Sequence, residues 1–299
     1  MATITDCCKD VLNKASLEEL EQIYFVLLEG KSYFEKYEEV RTILKSVVPE
    51  ADLETKTATA VLDTFRQKHK SKPKPELETE IPRLMNEAIE KRFGIFDDIR
   101  GITDDYGAQL ELCIEAVRRG AKNRNIEIKE PSYKHPVNTV EGALEREEIL
   151  VSLLFDFYLQ TMTPEERESL MKQVTEQLQQ ISSKFGSHLD ALRIGAAVLV
   201  GGVTALRTAL GFQFHVLLAV VANALARSLG ISLSVAMNAA LQRAAGMLLG
   251  PVGWVITTAL ALPTIAEILN PRDYQRYISA VLYIYALRHK RSLIASFEA

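Results

Sequence analysis

Two stretches of this 299-residue chain carry no formally charged side chain: Thr208 to Ala226, 19 residues between Arg207 and Arg227, and Ala244 to Ala266, 23 residues between Arg243 and Glu267. About 20 apolar residues in a helix cross the hydrocarbon of a bilayer, so each run is long enough to span one. The competing reading is a central helix of a bundle, apolar all round because other helices surround it. Gln213, His215 and Asn223 in the first run, and Pro251 and Pro263 in the second, keep both readings open. In either case these segments must leave water, and only folds that offer a dry place for them are allowed. A shorter uncharged run, Ile194 to Leu206, precedes them, and Arg227 to Arg243 is of intermediate polarity.

Charge follows the same division. From Ala191 onward there are 9 basic and 3 acidic residues, whereas the first 190 residues hold 26 basic and 36 acidic ones. The two parts therefore have opposite sign and very different charge density, which points to different surroundings. The whole chain has a net charge of −4 and a pI near 5.9. That leaves no global basic field, and no nucleic-acid partner is expected.

Elsewhere the apolar residues recur at helical spacing. Ser16-Leu17-Glu18-Glu19 forms a capping box ahead of Leu20, Ile23, Tyr24, Leu27 and Leu28, and Gly30 ends that helix. Tyr33, Tyr37, Val40, Leu44 and Val48 mark a second helix closing at Pro49, and a third covers Leu53 to Gln67. Lys68-His69-Lys70-Ser71-Lys72-Pro73-Lys74-Pro75 reads as an exposed, solvated linker. Helices resume at Pro82 to Phe93, Tyr106 to Arg119 and Thr139 to Leu159, with a loop from Asn123 to Asn138 in which Ile126 and Ile128 are briefly extended. Thr163-Pro164-Glu165-Glu166 starts another helix, and Asn270-Pro271-Arg272-Asp273 starts the last. No alternating strand pattern and no fixed-period repeat occurs. The expected fold is all-α: a multi-helix bundle with an N-terminal helical module at 1–70, an acidic helical region at 76–190 and an apolar region at 191–299 that contains a helical hairpin.

Catalytic patterns are missing. There is no phosphate-binding glycine loop, no HExxH and no GxSxG elbow, and an enzyme is not expected. The five histidines are scattered without an i, i+4 partner, so neither a metal nor a cofactor is expected. Asp104 and Asp105 suit the first turn of the next helix better than they suit a hard cation. Cys7, Cys8 and Cys113 show no CxxC spacing, which fits a reducing compartment. The N-terminus shows no basic segment followed by an apolar one, so a secretory signal is not expected.

If the uncharged runs meet lipid, Phe212, Phe214, Leu217 and Leu218 of the first and Leu248, Leu249, Trp254, Val255 and Ile256 of the second are the candidate acyl-chain contacts. Gly246 and Gly250 add a spacing that lets helix backbones approach closely in lipid. Arg207, Arg227, Arg243, Arg288, Lys290 and Arg291 are the candidate headgroup contacts. The cluster Arg288-His289-Lys290-Arg291 also suits the negative end of a helix dipole, which is the preferred reading.

Gly250-Pro251-Val252-Gly253-Trp254, the apolar helix after it and a last helix ending in Leu287-Arg288-His289-Lys290 resemble the YaaW-like family, bacterial proteins grouped with the ubiquinol-cytochrome c chaperone family. Glu145 to Leu178 is similar to the middle of that family and Asp10 to Leu28 to its opening leucine-acid module. The resemblance implies a bacterial, mostly helical protein without catalytic residues to carry across, and a role in helping a membrane complex assemble. Together these expectations describe a non-catalytic cytoplasmic protein with an inner-membrane-associated fraction. Its partner is an anionic membrane or, alternatively, a client protein gripped by a soluble assembly factor, and its oligomeric state is open.

Overall fold

A computed structural model of the chain describes residues 2–93, 104–126, 128, 130–161 and 272–298. Among these residues there are eight helices and no strand. They are α1 (Ile4–Lys14), α2 (Leu17–Glu29), α3 (Lys31–Leu44), α4 (Glu50–Lys68), α5 (Lys74–Phe93), α6 (Tyr106–Lys122), α7 (Val140–Thr161) and α8 (Arg272–Glu298). The all-α fold class is therefore observed, while the expected apolar hairpin and the helix from Thr163 lie outside the described residues.

Local chemistry explains most of the helix ends. Thr3 and Asp6 make a reciprocal capping box on α1, and Ser16 and Glu19 make another on α2. Each box satisfies two backbone donors that a helix start otherwise leaves free. Gly30 ends α2 and opens α3 at a positive φ of 54°, a conformation that side chains with a Cβ rarely adopt. Asp105 caps α6, accepting from the backbone N–H of Ala108 at 3.1 Å. Thr139 caps α7 in the same way through Gly142 at 3.0 Å.

Two elements differ from the sequence expectation. α5 starts at Lys74 and runs through Pro82, where a start at the proline was expected. Proline costs a helix interior one hydrogen bond, but the buried Leu77, Ile81, Leu84 and Met85 lie on both sides of it and hold the helix continuous. Ile126 and Ile128 lie in a loop and form no strand.

Helix packing builds one core around α8. α2 packs on α5, α6 on α7 and α3 on α4, while α8 packs against α1, α2, α5 and α7. From Tyr277 to Leu287 no residue of α8 is more than 8% exposed. Eleven consecutive buried residues cover every face of three helical turns, so α8 is enclosed on all sides from Tyr277 to Leu287. The core extends from Ala2 to Leu287 and draws on each of the three expected stretches of chain. The α3–α4 hairpin hangs on this body chiefly through α2.

The loop after α6 is pinned from α7. Arg146, almost fully buried, donates to the carbonyls of His135 (3.2 Å) and Gly142 (3.1 Å) and pairs with Glu111 at 3.2 Å. Its guanidinium lies 4.1 Å from the Tyr133 ring centre. The backbone at Pro136 and Val137 presses so closely on Gly142 and Gly107 that a Cβ there would fall 1.8 and 2.1 Å from their carbonyl oxygens.

Candidate functional site

A buried polar seam lies where α8 meets α1, α6 and α7. Glu147 stands on the apolar face of α7, in register with Ala143, Leu150 and Leu154, and its side chain is 1% exposed. Arg288 reaches it from α8 with both arms of its guanidinium, Nη2 at 3.0 Å and Nε at 3.4 Å. The third donor, Nη1, binds the backbone carbonyl of Cys7 in α1 at 3.0 Å. Tyr106, at the start of α6, points its hydroxyl at Glu147 from 3.4 Å, and its backbone N–H donates to the Ala2 carbonyl at 2.9 Å. A second polar rung runs from Tyr277 of α8 to Gln109 of α6 (2.9 Å) and on to Asn86 of α5 (2.7 Å).

Electrostatics in the seam follow from burial. Loss of water alone would lower the Arg288 pKa, but the charge and hydrogen bond of Glu147, together with Cys8 and Tyr106, outweigh that and hold the guanidinium firmly protonated. Desolvation pushes the Cys7 thiol up to about 12, with Glu147 raising it further and Arg288 opposing. Cys8 and Cys113 are pushed up by burial as well. The thiolate is the reactive form of cysteine, so at neutral pH these three side chains behave as buried apolar groups. The arrangement fixes the depth and rotation of α8: two rungs of directional bonds tie it to α1, α5, α6 and α7.

A second polar patch closes the far side of α2. Glu21, 3% exposed, accepts from Arg66 Nε at 3.0 Å, and Glu29 accepts from Lys68 at 2.7 Å and also meets His69. Lys72 pairs with Glu76, and Lys74 donates to the Asn13 carbonyl at 2.7 Å. Three lysines and His69 of the expected solvated linker are thus engaged with the body, and the connection between α4 and α5 is short.

The candidate residues from sequence fall as follows. Phe212, Phe214, Leu217, Leu218, Leu248, Leu249, Trp254, Val255 and Ile256 lie outside the described residues, as do Arg207, Arg227 and Arg243. Arg288 sits inside the seam. It is not near a helix end either, because α8 continues to Glu298. Lys290 and Arg291 follow it on the same helix. Among the described residues, no group of three His, Cys, Asp or Glu side chains is placed to hold a metal, and no helix is long and apolar enough to cross a membrane.

Sequence reasoning missed Tyr106, Gln109, Glu147 and Tyr277 as parts of one network. A usable signal existed: Glu147 and Arg288 each occupy a position that the helical repeat assigns to the buried face, where a lone charge implies a partner. In comparisons with known proteins, this chain matches no family model, no curated protein and no solved structure.

Proposed function

We propose that this is a non-catalytic protein whose helical body carries an apolar segment to the cytoplasmic face of a membrane, where the two uncharged runs enter the bilayer. The observation that carries the reading is the enclosure of α8. The stretch 162–271, which holds both uncharged runs, connects α7 to α8 in sequence, and α7 and α8 are joined by the Glu147–Arg288 pair. A segment anchored at both ends in one folded body can enter a bilayer only if it returns to the same side, which requires an even number of crossings. The 19- and 23-residue runs supply two. Kinship with the YaaW-like family is part of the proposal and rests on Gly250 to Trp254 and the residues around Leu287.

Flotation of the full-length protein with anionic vesicles at low and high salt tests it. Insertion survives high salt, whereas attraction to headgroups alone does not. A thiol-reactive dye on Leu218→Cys adds a depth readout, because the natural cysteines are buried. Full-length protein that stays with the soluble fraction under every condition refutes the proposal. That result favours a second reading, a soluble assembly factor. α8 itself supports it, since the chain buries its uncharged stretch Tyr277 to Leu287 on every face in protein, and a client could enclose the uncharged runs in the same way.

A further inference from the structure

The described helices fall into two halves, each built from elements close together in the chain. α2 packs on α5 and carries the α3–α4 hairpin, while α6 packs on α7. The packing that joins these halves comes chiefly from α1 and α8. α1 lies on α5 and α7, α8 lies on α2, α5 and α7, and the two pack on each other. Directed bonds follow the same route. Gln109 of α6 donates to Asn86 of α5 at 2.7 Å, and its own carbonyl oxygen is held by the Tyr277 hydroxyl of α8 at 2.9 Å. Arg288 of α8 spans Glu147 of α7 and the Cys7 carbonyl of α1, each at 3.0 Å. At the other end of α8, Arg276 donates to the Leu27 carbonyl of α2 at 3.2 Å, over the space left by Gly30.

Chain order separates this joining helix from the parts that it joins. α1 to α7 end at Thr161, α8 begins at Arg272, and both uncharged runs lie between them. A growing chain therefore holds both halves and the whole uncharged segment before it holds any of α8. In that interval Glu147 lacks Arg288, and burying a carboxylate without its partner is costly, so the face of α7 that carries it stays wet. At about 5–20 residues per second, the chain from Thr161 to the end of α8 takes on the order of 10 s to make.

We propose that α8 is a latch that closes the body only after the uncharged segment has been made. Until it docks, the α2–α5 and α6–α7 halves are unjoined; its arrival locks them together and fixes both ends of the segment in one step. The segment thus reaches its destination while its root in α7 is still free to turn. Once Tyr277 to Leu287, an uncharged stretch of eleven residues, is enclosed, that freedom is gone. The order of events comes from the chain and the packing alone, so it holds whether the segment enters lipid or a client protein. Failure of vesicle flotation leaves it standing.

The natural cysteines report closure. Cys7 and Cys8 of α1 and Cys113 of α6 are all buried in the finished body, and Cys8 and Cys113 lie close enough to the Tyr277 hydroxyl to act on its ionisation. Ribosome-bound chains are stalled after residue 161, after residue 271 and after residue 299, each followed by a flexible spacer that clears the exit tunnel. Each is pulsed with a mass-tagged maleimide. All three cysteines should be labelled in the two shorter chains, and labelling should be at least about tenfold slower in the longest. Val281→Asp, which sets a carboxylate at the buried centre of α8, should leave the longest chain as reactive as the shorter ones. Protection already present at residue 161 or 271 overturns the inference, because the body then closes without α8. Protection of the Val281→Asp chain overturns it as well.

Discussion

Replacing Arg288 with methionine isolates the interaction that sets α8 in the body. The change keeps an unbranched side chain and removes the charge, three hydrogen bonds and the only described cation facing Glu147. Breaking a buried ion pair by deleting one partner costs about 3–5 kcal/mol, because the other charge is left in a dry site. The Arg288 side chain is 20% exposed, so some water reaches the pair and the lower figure, about 3 kcal/mol, applies. Replacing both residues, Glu147→Leu with Arg288→Met, removes the stranded charge. What is left is the lost acceptor of the Tyr106 hydroxyl, about 1 kcal/mol. Urea unfolding followed by helical circular dichroism measures each variant. With a slope near 3 kcal/mol per molar, the single change lowers the midpoint by about 1 M and the double change by about a third of that. The double-mutant coupling is then about 2 kcal/mol or more. A single variant within about 0.5 kcal/mol of wild type, or a double variant as costly as the two singles added, would refute a load-carrying pair at this point.

Three further outcomes follow from the same geometry. Burial pushes the Glu29 carboxyl up, but hydrogen bonds and charge from Lys68 and His69 outweigh it, and the pKa is held below its ordinary 4.5. Because the folded value is the lower one, the stabilisation is present above pH 4.5 and is lost as pH falls through the folded value. Thermal melting across that window should show a steeper acid decline for wild type than for Glu29→Gln, and equal slopes would contradict it. Gly142→Ala forces a Cβ against the Pro136 carbonyl and should cost about 1–3 kcal/mol by overpacking, measured by urea unfolding. Cys7, Cys8 and Cys113 should be silent to a thiol reagent in the native protein and all react in denaturant, whereas prompt native reaction of any one would contradict its burial.

How much of this was legible in the sequence depends on whether the cause was local. The start of α2 at Ser16 and of α6 at Tyr106 was readable because capping chemistry acts within four residues. α1 was equally readable from Thr3 and Asp6 and was overlooked, since its buried face, Ile4, Cys7, Cys8, Val11 and Leu12, includes two cysteines and makes a weak apolar stripe. Pro82 misled in the other direction, because packing of α5 outweighs the missing hydrogen bond. The enclosure of α8 was not readable at all. Tyr277, Ile278, Val281, Leu282 and Tyr285 look like one stripe of an amphipathic helix, yet Ser279, Ala280, Tyr283, Ile284 and Ala286 are buried too. Which faces are covered depends on helices more than a hundred residues earlier, and no local pattern encodes that. The same distance explains Arg288, whose partner Glu147 lies 141 positions away.

Hydrogen exchange on vesicle-bound protein tests most directly whether both ends of the apolar segment are rooted in one body. The account predicts that amides from Tyr277 to Leu287 exchange as slowly as those of α2 and α5, both in solution and on the membrane. Loss of protection along α8 on binding, with α2 and α5 unchanged, would show that the C-terminal helix leaves the body and would contradict the account.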